Sequence, residues 1–554
     1  MDSKSPSNGN VKGDFSSYAG RWIARSGDRV VAQGGTPDQA RRAAQASRPK
    51  EKPNVQYIPY PDAFVFHPLV NQIIPVLPQD MPVFLVGGAV RDAMLSQPTH
   101  DIDLVLPEQA IQTARKVANA LNGYFYPLDT KRDYGRVIYK PSNSEQFVID
   151  FTVFQGPDLE SDLQARDFTV NAMAVEIHQL QALFDPLGGA NDLRNKQLRI
   201  CRSDAFKNDP IRILRGVRLA ASSDFRIHVD TRLQMRSDAH LISSSSPERV
   251  RDEIFRILDG PKPASAFRAL DLLGVLAIIM PELIELKDVQ QSPPHVSDVW
   301  NHTLNVIRTL HTLLNVLSLD FNQDDAANLH IGLVSALIGR YRVQITNHLK
   351  TNFTPDRTLG ELLYLAALYH DVGKPSSKDI DATGRIRFLE HELVGAEITR
   401  KRAHALVLSN PEVERLTTIV RHHMRPLLLT QSKNQPSRRA IYRFFRDTSP
   451  AGVDIALISL ADTMATYGPA LSHDDWGHQV EIVRALLQAW WEKPEESVSP
   501  TSLVNGHDLI NELNLSPGPL VGKVLEIIRE AQATGLVNNR DQALELARKT
   551  ISNG

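Results

Sequence analysis

Asp101 and Asp103 stand two residues apart in the apolar stretch DIDLVL. Side chains at that spacing on a β-strand leave from one face, so the two carboxylates are aimed together. Asp150 has a similar setting in FVIDFTVF, where an adjacent strand would bring it beside the pair. Clustered carboxylates repel one another unless cations neutralise them, and hard oxygen donors suit Mg²⁺ carrying bound phosphates. The chemistry on offer is phosphoryl transfer by two metals. One would lower the pKa of an attacking hydroxyl while the other holds a triphosphate and steadies the leaving group. Taken alone, D-x-D is common and more often describes surface aspartates near a strand end.

Upstream, VFLVGGAVRDAM runs from a strand through Gly87 and Gly88 into a helix. Glycine there lets backbone N–H groups approach an anion closely. Arg91 follows one helical turn later, placed to grip a phosphate with two N–H groups. Asp92 either orients Arg91 or caps the helix. A bare Gly-Gly is usually a turn, so the weight lies in its combination with DID.

A second set of reactive side chains begins with His370 and Asp371 in LAALYHDVGKP, after an apolar helical run. His302 in WNHTLNV, His391 in FLEHELVGAE, His422 in VRHHMRP and Asp462 in LISLADT widen it, with His423 as the alternative to its neighbour. Helices can gather such distant imidazoles and carboxylates around a divalent metal, whose identity the residues do not specify. Lys374 either pairs with a substrate phosphate or faces solvent at a helix end. His507 and Asp508 repeat the His-Asp string just before a helix, where capping is the simpler reading.

The elements that must position these groups fall into two styles. From 79 to 195, short apolar strands alternate with polar turns: VFLVGG, DIDLVL, RVIYK, FVIDFTVF and NAMAVEI, with the helix PEQAIQTARKVANALNG between the second and third. After Arg202 helical periodicity takes over, giving a helical neck over 196–287. The segment QSPPHVSDVW reads as a linker into a helical domain over 295–475, and a further helical region follows over 480–554. Before the strands, YAGRWIARSGDRVVAQGG and TPDQARRAAQAS predict a hairpin and a helix, making a small α/β module over 15–60. Thr36 would cap that helix, with Pro37 at its first position and Gln39 completing a capping box. Residues 1–14 read as a disordered tail. The fold class is therefore α+β.

At 554 residues the chain exceeds one hydrophobic core. No apolar run is long enough to cross a bilayer, so no membrane partner is expected. The single cysteine, Cys201, excludes an intramolecular disulfide and a multi-cysteine zinc site, which fits the cytoplasm. A net charge of -2 gives no global attraction to nucleic acid, so RNA contact must come from local patches. One lies between Arg194 and Arg218, where eight basic residues face two acidic ones.

Several motifs in order carry a resemblance: GGAVRD at 87–92, DIDLV at 101–105, ARDFTVNAMA at 165–174, DPLGGANDL at 185–193 and NDPIRILRGVRLA at 208–220. Over about 79–287 the chain resembles the class II tRNA nucleotidyltransferases and bacterial poly(A) polymerases of the DNA polymerase beta superfamily. The resemblance implies a polymerase-beta-like head in which Asp101 and Asp103 bind the catalytic metals and Asp150 is the third acid. Arg166, Asp167 and Asn171 match the RRDFTxNA element near the sugar and triphosphate. Ala165 stands where that element has its first arginine, a lost contact that Arg91, Lys131 or Arg132 would have to replace.

NDPIR resembles the element written EDxxR, with Asn208 in place of glutamate, and implies that Asp209 and Arg212 select the base. An ionised aspartate only accepts hydrogen bonds and an arginine only donates. Cytosine and adenine each offer an amino donor beside a ring-nitrogen acceptor; guanine and uracil reverse the order. The plainer reading makes Asp209 a helix cap and Arg212 a surface residue. Arg215 and Arg218, continuing at spacings of three, either contact triphosphate or tRNA backbone or form core-edge salt bridges. Asp185 is read as a brace rather than a metal ligand.

Over about 295–470 the chain resembles HD-type metal-dependent phosphohydrolases. That resemblance implies a ligand core of His302, His370, Asp371 and Asp462, with His391 and His422 as added ligands or phosphate contacts. Some relatives carrying this fused domain remove terminal phosphate or open 2′,3′-cyclic phosphate. The combined expectation is addition of C and A to the 3′ end of tRNA, with tRNA, CTP and ATP as partners and no oligomeric state implied. Alternatives are CC-only or A-only addition, a poly(A) polymerase, and a phosphohydrolase served by an RNA-binding head.

Overall fold

The computed structural model describes Phe15 to Ser552 apart from 16–17, 28, 60–63, 98, 100, 142–145, 322–327, 356 and 433. The tail expected over 1–14 lies outside the described residues. Two compact units divide between Leu241 and Ile242, inside the 196–287 span expected as one helical region.

The first unit opens with an antiparallel sheet in the order Arg29–Gly34, Arg21–Ser26, Asn54–Ile58. Helix Pro37–Ser47 packs Ala40 and Ala44 onto Ala24 and Val55 of that sheet. Thr36 caps it, its hydroxyl accepting from the Gln39 N–H at 3.1 Å. The expected box closes one residue earlier: Gln39 Oε1 accepts from the Gly35 N–H at 3.0 Å. Gly35 lies so close to the backbone of Asp185 that a Cβ would sit 1.4 Å from its carbonyl oxygen, which ties this module to the head.

The head is a seven-stranded mixed sheet in the order Leu183–Phe184, Ala174–Glu176, Phe84–Val86, Asp101–Leu106, Phe147–Val153, Tyr134–Tyr139, Tyr124–Asp129. Asp101–Leu106 runs parallel to Phe147–Val153 and antiparallel to Phe84–Val86. Helix Ala110–Leu121 provides the crossover that a parallel pair requires and lies on one face. Its approach depends on Gly135, whose Cβ would meet the Ala114 methyl at 2.9 Å. The strand Tyr124–Asp129 was not evident from sequence, because its exposed aromatics and Pro127 break the alternation expected of a half-buried strand. Its pairing is set by the hairpin with Tyr134–Tyr139. Helix Ile211–Ser222 closes the site side of the head. Gly216 lets Phe168 and Met235 pack against that helix, since a Cβ would fall 2.6 Å and 2.4 Å from them.

The second unit is helical. Leu359–Tyr369 and Gly452–Tyr467 are buried almost all round, while Val299–Val316, His391–Ala405 and Asn410–His422 each bury one face. The segment read as a linker does more than connect. Ser292 Oγ accepts from the Ile386 N–H at 2.8 Å, and Gln291 Oε1 accepts from Lys374 Nζ at 2.7 Å. Three terminal helices, Gly506–Leu513, Pro519–Ala533 and Arg540–Ser552, share a core of Leu509, Val524, Ile528 and Ala543. Asp508 forms a capping box with Asn505.

Candidate functional site

Thirteen residues singled out from the sequence line one cavity of about 450 Å³: Gly87, Gly88, Arg91, Asp101, Asp103, Asp150, Arg166, Asp167, Asn171, Asp209, Arg212, Arg215 and Arg218. That volume suits a nucleotide-sized ligand. Strand alternation puts Asp101 and Asp103 on one face, and parallel pairing sets Asp103 directly opposite Asp150. Burial pushes the Asp103 carboxyl up, Asp150 and Asp101 add to the rise, and Arg166 and Arg215 oppose it. A cation in the cavity would relieve that penalty, so the donor set fits divalent metals.

Asp150 carries a partnership the sequence did not announce. Arg136 on the neighbouring strand donates to both of its oxygens at 2.8 Å, and the Tyr134 hydroxyl donates to Oδ2 at 2.7 Å. Arg136 sits opposite Asp150 in the antiparallel register, a non-local fact absent from the local pattern of either strand.

Gly87 has φ +71°, and a Cβ there would fall 2.8 Å from Asp103 Oδ2 and 3.3 Å from Arg166 Nη1. Glycine is therefore required by both backbone and space. Arg91 is held from two sides, donating to Asp92 Oδ1 at 2.8 Å and Asn171 Oδ1 at 2.7 Å. Asp167 accepts from the Phe168 N–H and from Asn171 Nδ2, and pairs with Arg215 at 3.1 Å. Burial acts against ionisation of Asp167, but Arg215, Asn171, the Phe168 N–H and Arg212 together hold its carboxyl below the ordinary range. Arg215 thus forms a salt bridge and still faces the cavity.

Arg212 donates from Nη1 to the Arg166 carbonyl at 3.1 Å and from Nη2 to the Ala165 carbonyl at 2.9 Å. A guanidinium has five N–H groups, so donors remain for a ligand. Helix Ile211–Ser222 has Pro210 at its N-cap, a residue with no side-chain acceptor, and Asp209 directly before it lines the cavity. Lys131 and Arg132 lie in an exposed hairpin turn and do not line the cavity; their backbone N–H groups bond Asp129 Oδ1. Asp185 braces as expected, accepting from the Gly189 and Ala190 N–H groups at 2.6 and 3.1 Å.

In the second unit, helices carry His302, His370, Asp371, His391 and Asp462 to one buried point. His302 Nε2 lies 3.0 Å from Asp462 Oδ1 and 3.5 Å from Asp371 Oδ2, and His370 Nε2 lies 3.2 Å from Asp371 Oδ2. The remaining imidazole is a correction: His423, not His422, joins the cluster, its Nε2 3.8 Å from Asp371 Oδ1. The buried face of Asn410–His422 runs through Val413, Leu416 and Val420 at helical spacing, and the next position in that phase is 423. His422 falls on the flank, half-buried. The helical phase was the available signal.

The cluster has the marks of a metal centre. Nδ1 of His370, His391 and His423 each bonds a backbone carbonyl, of Ala367, Phe388 and Val420, at 2.7 to 2.9 Å. That fixes the tautomer in which Nε2 presents a lone pair inward. Nε2 of His391 and of His423 are buried without a hydrogen-bond partner. Burial, reinforced by His370 and His391, pushes the His423 pKa down to about 3, leaving that ring neutral. His370 titrates higher than usual: burial opposes its charge, but Asp371 outweighs it. Asp371 is held well below the usual carboxylate range despite its burial, by His370 and Lys374. A cavity of about 510 Å³ adjoins, lined by Asp371, His391, Asp462, Lys374, Arg385 and Arg387 and, from the expected linker, Ser292 to His295. Those last residues and the two arginines were missed, since nothing local distinguishes them from an ordinary loop.

Comparison with known proteins is consistent along the chain. The family model described as poly A polymerase head domain matches residues 83–199, and the HD domain model matches 299–466. Residues 14–61 match a family of unknown function, and 495–547 match a tRNA nucleotidyltransferase domain 2 model. The A-adding tRNA nucleotidyltransferase of Deinococcus radiodurans is 33% identical over 477 residues, covering 85% of this chain and 96% of that protein. The CC-adding tRNA nucleotidyltransferase of Thermus thermophilus is 31% identical over 468 residues, covering 83% and 92%. A solved structure of a CCA-adding enzyme in its apo form superposes with a TM-score of 0.55 at 20% identity, over 87% of this chain and 93% of that one.

Proposed function

The chain belongs to the tRNA nucleotidyltransferase family, and on that premise we propose that its head cavity adds C and A nucleotides to the 3′ end of tRNA without a nucleic-acid template. The observation that carries the reading is the convergence of the carboxylate pair, the arginine cradle and the Asp209/Arg212 pair on one cavity. Asp101 and Asp103 hold the divalent cations, Mg²⁺ by the hardness of their oxygens. Bound there, such ions lower the pKa of the RNA hydroxyl and neutralise the triphosphate and leaving pyrophosphate. Arg91 and Arg166 orient the phosphates, Arg91 through the brace from Asn171 and Asp92. Asp209 accepts from the amino group of cytosine or adenine while Arg212 donates to the ring nitrogen beside it.

A second reading confines the reaction to CC or to the final A. It is favoured because the relatives matched over most of their length each carry the name of one part-reaction. In the second unit His302, His370, Asp371, His391, His423 and Asp462 hold a divalent metal, and the adjoining cavity, with Lys374, Arg385 and Arg387, takes phosphate on RNA ends for hydrolysis. Such trimming returns the free hydroxyl that the head requires. The protein acts in the cytoplasm, where free Cys201 stays reduced.

The test supplies tRNAs lacking the whole CCA end, its last two nucleotides or only the final adenosine, each with CTP, ATP or both, and resolves product lengths. Growth by C then A supports the complete reaction; arrest after CC, or growth only from the CC end, selects the second reading. Equal incorporation of GTP and UTP would remove Asp209 and Arg212 as the selector.

A further inference from the structure

From Asp101–Leu106 out to Tyr124–Asp129, the head sheet has one face covered by helix Ala110–Leu121 and one open face, on which Asp101, Asp103, Val148, Asp150, Arg136, Ile138, Tyr124 and Tyr126 are half-buried or exposed among the described residues. On the covered face Phe125, Val137, Ile149 and Ile102 are in register beneath helix Ala110–Leu121. On the open face two rows cross the strands. One runs Asp101, Val148, Ile138, Tyr124, and the other Asp103, Asp150, Arg136, Tyr126. Both start at the carboxylate pair and end on the edge strand, where Tyr124 and Tyr126 are 69% and 47% exposed. Three inter-strand steps separate Asp103 from Tyr126, roughly 14 Å.

Exposed aromatics on a sheet edge invite unwanted pairing and are ordinarily avoided. Here they continue the catalytic face. Lys131 and Arg132 stand exposed in the hairpin turn beyond the same strand, and Lys140 is exposed at the end of its neighbour. The triphosphate-binding arginines lie on the opposite flank of the carboxylates, around Phe84–Val86 and helix Ile211–Ser222. In-line displacement brings the attacking hydroxyl in on the side away from the leaving pyrophosphate. The acceptor strand must therefore approach across the open face, from the tyrosine edge.

We propose that Tyr124 and Tyr126 form a stacking platform for the terminal bases of the acceptor RNA, with Lys131 and Arg132 meeting its backbone. The inference rests on the reading of the head as a nucleotidyltransferase. Aromatic rings hold successive bases whatever their identity, while basic neighbours follow the phosphates.

In the full-length protein, Tyr124→Ala with Tyr126→Ala should raise KM for tRNA by roughly tenfold or more and leave KM for CTP unchanged. Tyr124→Phe with Tyr126→Phe should restore the wild-type value, since stacking needs the ring and not the hydroxyl. An unchanged KM for tRNA in the alanine variant, or phenylalanine variants as impaired as the alanine ones, overturns the platform. A second arm needs no variant: wild-type protein is irradiated with tRNA ending in 5-iodocytidines, and adducts are mapped. Adducts on the peptide holding Tyr124 and Tyr126 support the proposal; adducts only elsewhere overturn it. Wild-type protein that adds nucleotides without such adducts sinks the platform alone. Adducts at these tyrosines with no nucleotide addition sink the functional reading and leave the platform standing.

Discussion

The two candidate metal sites of this molecule are built to different degrees of completion. Among the described residues, the donor groups whose atoms all lie within 4.8 Å of one another are His302, His370 and Asp371, and Asp371, His391 and His423, all in the second unit. Each histidine of the second trio is locked by a backbone carbonyl, and all these residues are buried. In the head, Asp101 is exposed, Asp103 is partly buried, and both oxygens of Asp150 are engaged by Arg136 and Tyr134. Helices that pack on all sides can preassemble a cage, whereas the first residues of a strand present two carboxylates and leave the rest of the coordination to the ligand. Mg²⁺ commonly binds in that way, through one or two carboxylates plus substrate phosphates. On the proposed function, the nucleotide would complete the head site, while the helical site would take metal alone.

The largest expected effect separates the two. Asp101→Ala with Asp103→Ala should lower nucleotide incorporation by about a thousandfold or more and spare phosphate hydrolysis. His370→Ala with Asp371→Ala should do the reverse. Parallel loss of both activities in either variant, followed by product assays on tRNA and on a phosphate monoester, would erase the distinction. Next, Gly87→Ala drives a Cβ toward Asp103 and strains a left-handed backbone, so incorporation should fall on the order of a hundredfold with hydrolysis intact. Wild-type incorporation in that variant would show that Asp103 has room to move.

A third comparison lies within the helical site. His423→Ala should weaken divalent-metal affinity by roughly tenfold or more, and His422→Ala should leave it unchanged, as measured by metal titration of chelated protein. Equal loss in both would mean that the helix turns further than its apolar phase dictates.

The smallest effect concerns pH. In chelated protein the folded-state pKa of Asp103 lies above its unfolded value, so folded protein binds more protons in that window and stability falls as pH rises through it. Asp371 is depressed, so its contribution is present above the ordinary aspartate range and is lost as pH falls toward the folded-state value. At neutral pH without metal, Asp103→Asn should therefore raise Tm, on the order of 2 °C, and Asp371→Asn should lower it. Thermal melts across pH give both signs, and a fall in Tm for Asp103→Asn would contradict the desolvation account.

What the sequence determined by itself is what local periodicity and ordered motifs can encode. A spacing of two aims Asp101 and Asp103 together, the glycines before Arg91 mark an anion approach, and separated His and Asp positions on apolar helices announce a metal cluster. Tertiary structure alone decided which groups lie opposite one another. Cross-strand register gave Asp150 its Arg136 partner and carried the catalytic face out to Tyr124 and Tyr126. Folding of the apparent linker brought Ser292 and His295 to line the cavity of the second site. The physical reason is that a strand or helix period fixes the direction of a side chain relative to its own backbone. The partner it meets depends on how distant segments dock, and that information lies in no single stretch of the chain.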